Sequence, residues 1–240
     1  MRGSAYATAL SMVAAALPLL GWLSTVIVAL VCLRTGIAAG SMILLWTMLP
    51  VGVAFYFVGD PTPMIALLGT GIMAMLLRQT RSWELVLLAS VVFSGVGALV
   101  FEFSAAGILD RFVQFYIDYL AQVDASVVVD PADARKLLMS FFALGQAYSM
   151  VIMLIIARWC QSALYNPGGF RTEFHQLRLS PAVSGSILLA MAVCYMFGDL
   201  LGRWLPLLTV PLVFASIGLA HWLMANRELS KNWVAGFYGS

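Results

Sequence analysis

Hydrophobic positions in this chain come in long unbroken blocks rather than in alternation. Residues 3–33, 35–59, 61–77, 85–101, 137–157, 179–198 and 204–226 contain no Asp, Glu, Lys or Arg. Most of these blocks reach the ~17–25 residues that carry an α-helix across a bilayer. The pattern predicts an all-α, polytopic transmembrane bundle, with spans near 4–33, 36–58, 62–77, 84–104, 132–158, 182–199 and 204–226. Two of the blocks, 61–77 and 85–101, have only 17 residues, but their ends borrow Arg78, Glu84 and Glu102 at the interface. The first block follows Arg2 as in a signal peptide, yet its 31 residues far exceed the ~7–15 of a signal-peptide core. It reads as a retained membrane segment. Pro18, Gly21 and Trp22 fall in its middle and leave two readings, two short helices near 4–17 and 20–33 or one kinked helix. The count is seven or eight crossings within a single membrane domain, 1–240.

The longest polar stretch, 103–136, carries its own period. Ile108, Phe112, Phe115, Tyr116, Tyr119, Leu120 and Val123 recur at three- and four-residue steps, opposite Asp110, Arg111, Gln114 and Asp118. This predicts an amphipathic helix on the outer interface, either a packed cap on the bundle or a lid over a binding site. In Asp130-Pro131-Ala132-Asp133, Asp130 suits a helix N-cap, Pro131 the first helical position and Asp133 the first turn. The next span is expected to begin at Pro131.

Composition strengthens the membrane assignment. The chain is 62% apolar with 10% charged residues and a mean hydropathy of +0.95; soluble domains sit near 45–50% and ~25%. So few charges cannot cover a water-soluble globule, and disorder is excluded by the same numbers. A net charge of +2, with basic residues placed singly, gives no nucleic-acid footprint. Cys32, Cys160 and Cys194 share no ligand spacing, and His175 and His221 stand far apart, so no metal, disulfide or cofactor is implied. GxSxG, a phosphate-binding GxxxxGK[ST] and a carboxylate pair at membrane depth are all missing, which argues against an enzyme.

Charge also orients the chain. One set of loops holds Arg34, Arg78, Arg81, Arg158, Arg171, Arg178, Arg227 and Lys231, with acids only at Glu84, Glu173 and Glu228. The alternate set holds Arg111, Arg135, Lys136 and Arg203 among eight acidic residues. The positive-inside bias makes the first set cytoplasmic, with the C-terminal tail inside a bacterial inner membrane. Arg2 joins that set only if the first block crosses twice.

Polar and aromatic groups inside spans are the candidates for a site. Gln146, with Tyr148 beside it, is the most isolated polar residue; Trp46 and Tyr195 also lie within spans. These four are the expected walls of a small-solute pocket on the outer half, under the 106–123 helix. Packing glue is the alternative role for each. Asp199 and Arg203 are spaced for a helical ion pair. Gly3, Ala7, Ser11 and Ala15 form a row of small residues at four-residue steps, as do Gly36 and Gly40, and such rows mark close helix contacts.

The most distinctive string is Tyr165–Leu179. Pro167-Gly168 fits the centre of a type II turn, and Phe170, Phe174 and Leu177 then share a helical face. It reads as an interfacial turn and half-helix, or as a docking element in which Phe170 and Arg171 meet a cytoplasmic partner. Tyr165–Arg178, together with Leu17-Pro18-Leu19-Leu20-Gly21 and Leu33-Arg34-Thr35-Gly36, resembles the YybS-like family of predicted bacterial membrane proteins. The resemblance covers nearly the whole chain. That family is in turn distantly similar to the substrate-binding S components of energy-coupling factor transporters. The link implies an outward-opening pocket for a small solute, and small residues on the first helix (here Ala7, Ser11 and Ala15) docking a membrane T-type partner driven by ATPases. It carries over no ligand residues. It also implies that Asn232–Ser240 is the start of a further helix cut short. The expected function is solute binding or transport in the bilayer; a non-transporting scaffold for envelope or division proteins is the alternative, and a lipid-directed enzyme the third.

Overall fold

The computed structural model describes residues 2–17, 20–124 and 128–226, and within them every regular element is helical. The proposed helix start at 232–240 lies outside the described residues. Among those described, five helices are long and apolar enough to cross a membrane: α3 (Ile37–Val58), α4 (Thr62–Thr80), α5 (Trp83–Ser104), α7 (Pro131–Tyr165) and the segment Gly198–Met224. Three shorter apolar helices accompany them, α1 (Arg2–Ala16), α2 (Gly21–Thr35) and α9 (Pro181–Met196). The amphipathic α6 (Ala106–Val123) and the seven-residue α8 (Gly169–His175) complete the set. Gly198–Met224 is interrupted: α10 (Gly198–Leu201), a 3-10 turn (Gly202–Trp204), α11 (Leu205–Leu208) and α12 (Val210–Asn226) follow one another.

The first hydrophobic block takes the two-helix form. α1 and α2 pack on each other and on α3. Each has 15 residues, about 22 Å of helix at ~1.5 Å per residue. α7 is the central post, touching α2, α4, α5 and α6. Its inward stripe Ala143, Ala147, Met150, Val151, Leu154 and Ala157 is fully buried against Val28, Ala29 and Cys32 of α2, Leu67 and Met73 of α4, and Val86 and Leu87 of α5. Small residues set these approaches, because helix backbones close up only where side chains are short. A Cβ on Gly40 would stand 3.1 Å from the Cys32 Cα, so the α2–α3 contact requires glycine there. The outside of the bundle is apolar, with Leu45, Tyr56, Phe103 and Leu189 each well exposed. Water would penalise such a surface; hydrocarbon does not.

The local signals at α7 and α8 hold. Asp130 caps α7 by accepting from the Ala132 N–H at 3.0 Å, with Pro131 at the first helical position. α7 then runs 35 residues to Tyr165, seven past the expected end, because its last turns pack on α8 rather than entering a loop. Gly168 has φ +87° and the Gly169 N–H donates to the Asn166 carbonyl at 3.0 Å, which is the type II turn around Pro167. The helix over 106–123 forms, but its buried residues are Leu109 and Val113, while Phe112, Phe115, Tyr119 and Val123 stay exposed. The Asp199–Arg203 pair does not form as expected. The 3-10 turn at Gly202–Trp204 breaks the four-residue register, and Arg203 donates instead to Glu102 at 3.1 Å.

Candidate functional site

The charged residues collect at two opposite ends of the bundle. At the acidic end, Glu102 on α5 sits between Arg203 (3.1 Å) and Arg135 (3.7 Å), and Arg135 also reaches Asp110 at 2.6 Å. This network ties α5, α6, α7 and the 3-10 turn together. At the basic end the arrangement differs, because the charges surround space.

That space is a cavity of about 630 Å³ lined by Leu33, Leu77, Arg78, Arg81, Arg158, Gln161, Glu173 and Gln176. The ends of four helices build it. α2 ends at Thr35 with its last carbonyls unpaired by helix bonds, and one of them, that of Leu33, accepts from Arg78 Nη1 at 2.6 Å and from Gln161 Nε2 at 3.2 Å. A cation at a helix C-terminus is the favourable sign for the helix dipole. Arg158, one turn earlier than Gln161 on α7, donates Nε–H to Glu173 Oε2 at 2.9 Å and a second N–H to Glu173 Oε1. The same guanidinium donates to Gln161 Oε1 at 2.5 Å. Glu173 arrives on α8, which the turn at Gly168 folds back against α7; Ser162 Oγ receives the Phe170 N–H at 2.9 Å and pins that fold.

Arg81 is the outlier. It closes α4 with φ +54°, the one non-glycine residue with positive φ among those described. That region disfavours a Cβ by roughly 1–2 kcal/mol, and helices usually place glycine there. Its side chain is exposed to the cavity and makes no ion pair or hydrogen bond among the described residues. A second space of about 320 Å³ adjoins the first through Arg81, Glu173 and Gln176, and adds Ser82, Trp83, Glu84, Leu177 and Arg178. Trp83 is 6% exposed, and its buried indole N–H has no partner among the described residues. Glu84 is occupied, accepting from the Ser180 N–H at 2.5 Å and so tying the start of α9 to the start of α5.

The four expected pocket walls are not brought together. Gln146 is buried, and its Nε2 donates to the Thr62 carbonyl at 3.3 Å on α4. Tyr148 packs on the Phe214 ring, 5.6 Å between centroids. Trp46 and Tyr195 are exposed on the apolar exterior, Tyr195 at 80%. None of the four lines the cavities described. The row on α1 is turned inward: Ser11 is fully buried with its hydroxyl 2.7 Å from that of Thr47 on α3, and Ala7 and Ala15 pack on the core. The Phe170 ring lies tilted against that of Phe174, 5.5 Å between centroids, whereas Arg171 is exposed. A third space, about 360 Å³ between α4 and α5, is an apolar groove lined by Met64, Ile65, Leu68, Phe93, Gly97 and Val100.

Arg78, Arg81 and Arg158 stand out in the sequence only as orienting charges, because Arg78 and Arg81 share the connection after 61–77 while Arg158 closes a run 77 residues further on. A signal was present in Gln161 and Gln176, two further polar donors on the same side that charge topology does not require. No family model, no curated protein and no solved structure matches the chain. The arrangement itself can bind anions: several forked guanidinium donors, two amide side chains and one carboxylate surround a solvent-accessible space.

Proposed function

We propose that this chain is a multi-pass protein of the bacterial inner membrane that binds a small solute in a transport-related role, and that its solute site is the cavity at the basic end. The observation that carries this reading is the convergence of Arg78, Arg81 and Arg158 on one polar space of about 630 Å³. That volume falls within the ~300–1,000 Å³ typical of small-molecule sites. Three guanidinium groups against one carboxylate leave an excess of positive charge that a neutral structural contact would not need. The reading keeps the YybS-like resemblance and the distant S-component likeness as its context, with the T-type and ATPase partners that these imply, and moves the site away from the outer half.

In this account the eight apolar helices cross eight times. The chain reverses between α1 and α2, and α2 ends where Leu33 meets Arg78, so the start of α1, with Arg2, joins the other basic residues. The positive-inside bias then makes the basic end cytoplasmic and α6 an outer interfacial helix.

The test is the small-molecule content of the purified protein. Wild type and Gln176→Trp, which fills the cavity from an exposed position, are purified in mild detergent, denatured and analysed by mass spectrometry. A solute at near one equivalent in wild type, lost in Gln176→Trp with an unchanged melting temperature, supports the site. Equal content in both proteins, or none in either, overturns it. Recovery of an ATPase with a membrane partner in the same extract supports transport; recovery of envelope-assembly proteins instead supports the scaffold.

A further inference from the structure

We infer that the basic-end cavity is built for a phosphate-bearing group, either on a free solute or as the headgroup of an anionic lipid, and that Glu173 occupies part of that site as an internal stand-in which the bound group displaces. The inference rests on the reading of this cavity as the solute site and adds the ligand class.

The donors exceed what the protein uses. A guanidinium carries five N–H donors and no acceptor. Arg78 donates one N–H, to the Leu33 carbonyl. Arg81 donates none to the described residues, although it is held in a costly backbone conformation in the wall of both adjoining spaces. Only Arg158 has its fork filled, and what fills it is a carboxylate, the oxyanion geometry an external ligand would present. A single carboxylate is satisfied by one fork. A phosphate group offers more acceptor oxygens and up to two negative charges, and so matches several guanidiniums lining one cavity. Leu33 and Leu77 give apolar surface in the same cavity for the carbon part of the molecule.

Glu173 is placed to leave. Its side chain is 37% exposed, and it sits on a seven-residue helix joined to α7 through the Gly168 turn, not on a spanning helix. An incoming dianion competes with it directly for Arg158. Neutralising Glu173 therefore strengthens anion binding, the opposite of what losing a structural ion pair does to an unrelated site.

The full chain in neutral detergent is titrated with pyrophosphate, with acetate at equal ionic strength as the control, and Trp fluorescence and melting temperature are read. In parallel, native mass spectrometry measures retention of phosphatidylglycerol against phosphatidylcholine. Saturable pyrophosphate binding identifies a free phosphorylated solute; selective retention of phosphatidylglycerol identifies a lipid headgroup. In whichever arm responds, Arg81→Ala weakens binding at least tenfold and Glu173→Gln strengthens it several-fold. Arg158→Lys, which keeps the charge and loses the fork, weakens it and serves if Glu173→Gln does not fold. No response in either arm overturns the inference, as does a response that Arg81→Ala leaves unchanged or that Glu173→Gln reduces. A phosphate-free solute that co-purifies with wild type and is lost from Gln176→Trp, with both arms silent, overturns this inference alone and leaves the solute-site reading standing.

Discussion

Gly168 and Gln146 mark the limits of what a residue reveals about itself. The turn at Gly168 was legible because its cause is local: Pro167 presets one dihedral and glycine supplies the positive φ that follows. Gly168→Ala is expected to cost about 1 kcal/mol through the left-handed backbone alone, since nothing lies near the added Cβ, and differential scanning in detergent measures it. Gly40→Ala meets the Cα of Cys32 and is expected to cost more, about 1–3 kcal/mol, because two backbones must separate. Gln146 stands out in the sequence as an isolated polar residue, but its partner is a main-chain carbonyl on another helix, 84 positions away in sequence. Composition does not mark such a partner. Arg81 is legible as a charge, but not as one without a partner among the described residues.

At the scale of elements, helix starts are set locally and helix roles by tertiary packing. Asp130, Pro131 and Asp133 act within four residues, so the start of α7 needs no tertiary information. Asp130→Ala is expected to cost about 1 kcal/mol as a lost cap. The amphipathic period of α6 was visible, yet which apolar residues turn inward depends on α7, and the helix buries Leu109 and Val113 beside the predicted stripe. The break at Gly202–Trp204 replaced a local ion pair by one between Arg203 and Glu102, a pairing across 101 positions. Glu102 serves two arginines while mostly buried, whereas Asp110 is an exposed member of the same network. Glu102→Gln is therefore expected to lower stability by about 2 kcal/mol and Asp110→Ala by under ~1 kcal/mol. Comparing the two melting curves separates a clamp joining α5, α7 and the 3-10 turn from decoration of α6.

For the whole molecule, the hydrophobic blocks and the segregation of charge along the chain are the strongest signals, and both survive folding: residues assigned to one side by sequence meet one another at one end. Arg78 meets Leu33, Arg158 meets Glu173, and Ser180 meets Glu84 at the basic end, while Glu102, Arg135, Asp110 and Arg203 meet at the other. What the sequence left dark is the hollow at the basic end, because a cavity is a property of helix ends from α2, α4, α7 and α8 together. The account rests on that end facing the cytoplasm, where a phosphorylated metabolite or an inner-leaflet headgroup would reach it. Cysteine labelling tests this most directly. With Cys32, Cys160 and Cys194 replaced by alanine, a membrane-impermeant maleimide is applied to intact cells and to permeabilised ones carrying Asp124→Cys or Thr172→Cys. The account predicts that position 124 reacts in intact cells and position 172 only after permeabilisation; reaction of position 172 in intact cells, with position 124 protected, would contradict it.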